Sequence, residues 1–288
     1  MRYCNSDIFA ILNVVFCKTE CSAYDASCGG TDVVIPYEIS GEAVTEIGNQ
    51  AFREKGLTSV EFPRSVTKVG VNGFFQNPLL KKIIFKDGLT SLMARSFMNP
   101  EGAYGVLEFV MLPKTLENLA GFNFSGNSIK QVVIPDSVTT VGSTVFGYND
   151  IKYLKIGNGI ANLQIQAFMD NELENIIIPN NVTSIGNQVF AHNPLKKITI
   201  GEGLTVIGNN AFSNGYITIL GYYNQNFLTE VYIPANITEI RSTAFGTATS
   251  DIILRTERTK EDFLANVSTG TQWNGQAQVI DCNGVSIY

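Results

Sequence analysis

The hydrophobic positions of this chain recur with a fixed spacing. The segment IKQVVIPDSVTTVGSTVFGYN begins at Ile129, and LENIIIPNNVTSIGNQVFAHN repeats its pattern from Leu173. A third copy, IKYLKIGNGIANLQIQAFMDN from Ile151, lies midway between them, so the unit is 22 residues long. A short fixed period is typical of solenoids, in which each unit buries its apolar face against its neighbours.

Each unit joins a short strand to a phenylalanine. The first half alternates apolar and polar residues, as in Leu173, Ile176 and Ile178, which predicts a strand with one face inward. A proline or glycine turn follows, and the second half carries another apolar set that ends in phenylalanine. The residues at this position are Phe52, Phe74 or Phe75, Phe97, Phe124, Phe146, Phe168, Phe190, Phe212 and Phe245. The chain therefore predicts a β-rich solenoid of about ten coils with a parallel sheet.

Insertions and atypical ends suggest how the chain is organised. Five extra residues fall near Met98 to Val106 and eleven near Ile217 to Phe227, at an edge where inserted loops can carry function. Terminal repeats usually depart from the pattern. We therefore expect an N-terminal segment over residues 1–28, a solenoid over 29–250 and a C-terminal cap over 251–288.

The two end segments carry patterns of their own. The apolar run from Ile8 to Cys17 is too short to span a bilayer, so no membrane span is expected. A cleaved signal peptide is an alternative for this segment, although Asp7 and Lys18 flank the run unfavourably. In the cap, Phe263, Leu264 and Val267 are expected on one face of a helix.

Charge and cysteine content exclude several classes of function. A net charge of −6 disfavours nucleic acid, and it also disfavours an acidic partner in general. The five cysteines form no disulfide framework, and C-x-x-C pairs and H-E-x-x-H are missing from the sequence. We therefore expect no metal, no cofactor and no catalytic residue.

Residues that resemble chemical motifs are expected to be structural. His192, the single histidine, falls at a variable turn position and is expected to be exposed. The glycine pairs in residues 157–159 and 201–203 occupy repeat turns and lack the lysine and hydroxyl residue of a phosphate loop. Asparagines that recur three residues after the phenylalanine are expected to bond to the turn backbone, namely Asn127, Asn149, Asn171 and Asn193.

The repeat I-P-x-x-V-x-x-I-G-x-x-A-F resembles the BspA-like leucine-rich repeats of bacterial cell-surface proteins. The resemblance covers roughly Gly29 to Phe245 and includes an opening coil, GGTDVVIPYEISGEAVTEIGNQAF. It implies a leucine-rich repeat array that is secreted or surface-attached and takes part in adhesion to host proteins or other cells. The repeat residues themselves are structural, so they indicate the fold far more strongly than the function.

The outward strand positions provide the candidate binding residues. In successive coils the middle outward residue is Val34, Glu61, Ile84, Met111, Val133, Lys155, Ile177, Thr199, Tyr232 and Ile253. Most of these residues are apolar. Either the preference of β-strands for such residues, together with packing between coils, or a partner-binding strip explains this pattern. The candidate residues for partner binding are Phe109, Met111, Tyr153, Ile177 and Tyr232, with Tyr222 and Tyr223 in the longer insertion.

We therefore expect a monomeric, non-catalytic module that binds a protein or glycan outside the cell. One alternative is a carbohydrate-active enzyme on a parallel β-helix. Glu61, Glu108 and Glu174 lie two or more coils apart, which is poor geometry for paired catalytic carboxylates. A structural spacer for a larger surface protein is a further alternative.

Overall fold

The protein is a parallel β-solenoid of about ten turns, which confirms the predicted fold class. A computed structural model describes residues 30–213, 228–246, 252–269 and 278–287. It also describes the backbone of four short strands at 16–17, 20–21, 216–218 and 221–223. Most coils contribute one strand to each of two sides of the stack, because each 22-residue unit contains two inward-facing apolar segments joined by turns.

Among the described residues, the longer strands line one side of the stack in four parallel sheets of two or three strands, which we together call the long-strand ladder. Its strands are Asp32–Val34, Ser59–Glu61, Lys82–Ile84, Gln131–Val133, Tyr153–Lys155, Asn175–Ile178, Lys197–Ile200, Glu230–Ile233, Ile253–Thr256 and Gln278–Ile280. Paired strands are parallel and in register, as in Ile176 with Ile198 and Ile177 with Thr199. Since the side-chain period along a strand is two, Ile176 and Ile198 enter the core while Ile177 and Thr199 face outward.

Two-residue strands line another side of the stack in two sheets, which we together call the short-strand ladder. Its strands are Glu20–Cys21, Glu46–Ile47, Lys68–Val69, Ser91–Leu92, Asn118–Leu119, Thr140–Val141, Asn162–Leu163, Ser184–Ile185, Val206–Ile207, Glu239–Ile240 and Ser268–Thr269. Antiparallel hairpins join Phe16–Cys17 to Glu20–Cys21, Glu38–Ile39 to Glu42–Ala43, and Tyr216–Thr218 to Gly221–Tyr223. The last hairpin lies in the eleven-residue insertion that the spacing predicted.

The predicted phenylalanines form a continuous buried column. Neighbouring rings from Phe52 to Phe245 stack with centroids 4.7 to 6.0 Å apart and nearly parallel planes. Phe74 belongs to this column, whereas Phe75 is only partly buried and lies beside Arg53. Because each ring packs against the coils on both sides, the core runs along the stack without interruption.

The recurrent asparagines hold successive coils together, as predicted. Buried Asn171 donates from Nδ2 to the carbonyls of Phe146 at 2.9 Å and Phe168 at 3.1 Å, and its Oδ1 accepts from the Ile151 amide at 3.0 Å. Asn149 and Asn193 make the same set of bonds. Each side-chain amide thus satisfies a buried backbone N–H of the preceding coil, and neighbouring asparagines share the phenylalanine carbonyls between them, as Asn149 and Asn171 share that of Phe146.

The glycine turns are required by coil stacking. A Cβ atom added at Gly203 would lie 1.8 Å from the Asn180 carbonyl oxygen, and one at Gly159 would lie 2.3 Å from that of Asp136. The neighbouring coil therefore occupies the space in which a larger residue, or a bound phosphate, would have to fit.

The C-terminal segment corrects two details of the prediction. The helix Lys260–Asn266 buries Phe263, and Val267 is buried just after it, but Leu264, about 100° further around the helix than Phe263, is exposed. In the long-strand ladder, Ile253 pairs with Glu230, and Arg255 is the residue opposite Tyr232. The prediction placed Ile253 opposite Tyr232 and was wrong by two residues, because the spacing departs from 22 at this end.

Candidate partner-binding face

The strand positions predicted to face outward do so, since none of the nine middle outward residues from Val34 to Tyr232 is buried, and Arg255, which takes the place predicted for Ile253, is exposed. Phe109 bridges to Gln131, and Gln131 pairs with Tyr153, so these three residues form a row across neighbouring coils. Val133 pairs with Lys155 in the next row. The parity of each strand therefore points the candidate side chains to the outside.

Most of the candidates lie on one part of this surface. We call Phe109, Met111, Val133, Tyr153 and Ile177 the central face. All five side chains are exposed, and Met111 and Ile177 are the most accessible at 70% and 67%. Phe109 and Tyr153 lie two coils apart, about 10 Å at the usual strand spacing. The central face is therefore small enough for one protein partner to cover it.

A groove of about 520 Å³ opens within the central face. Its exposed walls include Phe109 and Met111 from one coil and Val133 from the next. Buried Leu112 and Ile134 line it more deeply. The groove is thus mainly apolar, and it lies at the position where sequence analysis placed two of the candidate residues.

The groove exists because two strands separate. Residues 109–112 and 131–134 share a single bridge, between Phe109 and Gln131. In the next coil Ile134 donates to Lys155, and two coil steps before the groove Phe62 donates to Ile84, each at 2.9 Å. The equivalent bond, from the Leu112 amide to the Val133 carbonyl, is missing between these described residues. The separation follows the five-residue insertion, which interrupts the regular stacking before residue 107.

Ion pairs border the central face on one side. Glu108 pairs with Lys130 at 2.8 Å, and Glu174 pairs with Lys196 at 2.7 Å. Both pairs are exposed, so each contributes at most about 1 kcal/mol to stability. Glu61 pairs with Lys86 at 3.0 Å. The three carboxylates considered for a glycosidase are thus held apart, each with its own lysine.

Tyr232 lies apart from the central face. Five coil steps separate it from Met111, roughly 24 Å at the strand spacing. Partial burial, followed by a hydrogen bond to the Glu257 carboxylate, raises the pKa of Tyr232 to about 12. The structure therefore ties this side chain to the C-terminal end of the stack and does not bring it to the groove.

The candidates of the longer insertion have a described backbone only. Tyr222 and Tyr223 belong to the strand Gly221–Tyr223, where they pair with Ile217 and Tyr216. Their side chains lie outside the described residues. Their part in a binding surface stays a prediction.

A second cavity, of about 320 Å³, lies beside the shorter insertion and was not predicted from the sequence. Asn99, Tyr104, Phe122 and Tyr148 are among its lining residues. Asn99 is buried and donates from Nδ2 to Asn127 at 3.0 Å, whereas its Oδ1 atom has no hydrogen-bond partner among the described residues. One signal in the sequence was available: in this coil the position three residues after the phenylalanine is Pro100 and not asparagine.

His192 is a turn residue, but it is less exposed than predicted. Its side chain is mostly buried, and Nδ1 lies 3.0 Å from Oδ1 of Asp170 in the preceding coil. The two residues are 22 positions apart, and stacking brings equivalent positions together. The pair therefore follows from the repeat.

The described residues offer neither a metal-binding cluster nor a membrane-spanning helix. No group of three or more histidine, cysteine, aspartate or glutamate side chains is placed to hold a metal ion. Within the same residues, no helix is long and apolar enough to cross a membrane.

Comparison with known proteins agrees with the repeat. Residues 22–104 and 103–219, more than half of the chain, match a family described as BspA type leucine rich repeat region, with six copies. The chain belongs to this family. Among curated proteins, none matches the chain.

Solved structures of leucine-rich repeat proteins have similar folds. A leucine-rich repeat protein from Bacteroides ovatus is 21% identical, with a TM-score of 0.73 over 96% of this chain and 71% of the other. A leucine rich cell surface protein from Faecalibacterium prausnitzii is 20% identical, with a TM-score of 0.35 over 90% of this chain and 93% of the other. At 21% identity, the likeness of the Bacteroides ovatus protein to this BspA-type chain establishes only the shared fold.

Proposed function

We propose that this BspA-type repeat protein is a non-catalytic module that binds a partner protein through its central face, outside the bacterial cell. The observation that carries the proposal is a row of exposed apolar side chains around an apolar groove. Membership of the BspA-type family supports a binding role and a location at the cell surface.

The side chains of the central face suit protein binding. Phe109 and Tyr153 offer large rigid surfaces, and Met111 offers a flexible, polarisable one. Such residues dominate binding energy when a partner buries them. A glycan site would instead place polar side chains around an aromatic ring, whereas Met111, Val133 and Ile177 add only apolar area.

β-Propensity alone does not account for these residues. Apolar outward residues stabilise a sheet when they pair across neighbouring strands. Phe109 and Met111 precede the separation of two coils, and Met111 lies outside the regular strands. Their exposed area therefore gains little from pairing within the sheet, which favours a role in contact with another molecule.

The experiment starts with capture of partners from host matrix and cell-surface preparations, followed by affinity measurements with each purified candidate. Substituting Phe109→Ser, Met111→Ser and Tyr153→Ser together should weaken binding by at least about tenfold. The matched control is Val34→Ser with Tyr37→Ser, which removes exposed apolar area three coils away. Thermal denaturation should show that both variants fold.

Three results would count against the proposal. Unchanged affinity in the triple variant would move the site away from the central face. Equal losses in the triple variant and the control would mean that exposed apolar area matters without a defined site. Capture of purified glycans, with no protein captured, would replace the protein partner with a carbohydrate.

A further inference from the structure

The groove is positively charged at its exposed edges, although the chain as a whole carries a net charge of −6. Lys114 and Lys155 both line it and are both exposed. Neither lysine forms an ion pair with a carboxylate among the described residues, in contrast to nearby Lys130, which pairs with Glu108. Two ammonium groups are therefore free to meet a charge that arrives from outside.

One acidic residue, Asp136, also lines the groove, but its carboxylate is already engaged. Its Oδ1 atom accepts hydrogen bonds from the backbone amide of Asn158 at 2.8 Å and from the Asn158 side chain at 3.2 Å. These bonds direct the carboxylate towards the next coil. These neutral donors leave its negative charge in place, so the lining of the groove carries two positive charges and one negative charge, a net charge that is still positive.

Composition alone gave the opposite expectation, that an acidic partner is disfavoured. Salt screens exposed charges beyond about 8 Å at physiological ionic strength, so a ligand in the groove responds mainly to the nearest charged groups. Most of the acidic residues of the chain lie in other coils. The local charge of the groove therefore decides which ligands it attracts.

Unpaired backbone groups add a second kind of recognition. The Leu112 amide and the Val133 carbonyl do not bond to each other, and the two residues line opposite sides of the groove. An extended peptide offers backbone donors and acceptors along its length, and it places alternate side chains on opposite sides. A volume of about 520 Å³ lies within the usual range of ligand pockets and takes more than one side chain.

We infer that the groove binds an extended segment of a partner protein in which apolar residues alternate with acidic ones. Its apolar side chains contact Phe109, Met111 and Val133, and its carboxylates pair with Lys114 and Lys155. The inference rests on the proposed function, because it names the kind of segment that the central face recognises.

The test uses three labelled octapeptides with blocked ends and fluorescence anisotropy with the whole chain. The first alternates leucine or valine with glutamate, the second replaces each glutamate with lysine, and the third replaces each apolar residue with serine. The acidic apolar peptide should bind at least about tenfold more tightly than the other two, and its affinity should fall as salt is added.

Charge reversal tests the lysines directly. Lys114→Glu with Lys155→Glu should reverse the preference, so that the lysine peptide binds more tightly than the acidic one. The matched control is Lys81→Glu with Lys197→Glu, which reverses two exposed lysines outside the groove and should leave the preference unchanged.

Several outcomes would overturn the inference. They are equal binding of acidic and basic peptides, no binding of the acidic peptide at millimolar concentration, and the same effect from both charge-reversal variants. A fatty acid such as oleate that binds in the groove while the acidic peptide does not would point to a lipid ligand instead. If the captured protein partner responds to the serine variant but not to Lys114→Glu with Lys155→Glu, the proposed function stands and this inference fails.

Discussion

Replacing Phe168 with alanine tests whether the phenylalanine column holds the solenoid together. The ring of Phe168 is fully buried and stacks on Phe146 at 6.0 Å and on Phe190 at 5.5 Å, with planes within 9° of parallel. Phe168→Ala therefore removes contacts with two coils at once. The backbone on both sides stays tied, since the Phe168 amide donates to Val189 and the Phe146 amide donates to Ala167, each at 2.9 Å.

The structure sets the expected magnitude of this substitution. Truncation of a buried phenylalanine costs about 3 to 5 kcal/mol, and the cost rises when the surroundings cannot collapse into the cavity. The backbone bonds between coils limit such collapse here. The two lost stacking contacts add roughly 0.5 to 1.5 kcal/mol each to simple area burial. We therefore expect a loss of unfolding free energy near the upper end, about 5 kcal/mol.

Urea denaturation, followed by circular dichroism, measures this loss. With a slope of about 3 kcal/mol/M, a loss of about 5 kcal/mol should lower the midpoint by roughly 1.7 M. Lys152→Ala, an exposed control in the same region of the stack, should cost less than about 0.5 kcal/mol. Equal midpoints for the two variants would refute the assignment of inward and outward residues.

Two further predictions concern the asparagine bonds and Tyr232. Asn171→Ala should cost about 1 to 3 kcal/mol, because it leaves the Ile151 amide buried without a partner, whereas the Phe146 and Phe168 carbonyls keep hydrogen bonds from Asn149 and Asn193; a urea midpoint equal to that of the native chain would contradict this. Tyr232 should titrate near pH 12 in the folded chain, as the tyrosinate absorbance of the native chain minus that of Tyr232→Phe will show. Since this pKa is raised above its ordinary value of 10.0, the associated stability is present below pH 10 and is lost as pH rises towards 12. A titration near pH 10 would contradict it.

The sequence by itself was sufficient for the regular part of the architecture. The period of 22 placed Phe124 through Phe212 in one column, and the period of two within each strand placed Phe109 and Tyr153 on the outside. It also predicted the asparagine bonds around Asn171. These features follow from a local pattern that repeats, so a single coil determines how each of its neighbours is built.

Only the tertiary structure decided the features that arise where the repeat is irregular. It selected Phe74 over Phe75 for the column, because two adjacent rings cannot both face inward, and it placed Arg255 opposite Tyr232. The groove exists because coils separate after an insertion, and its charge comes from Lys114 and Lys155, which lie 41 residues apart. The distance between two such side chains depends on how irregular coils stack on one another. It cannot be predicted from the spacing or the composition of the chain.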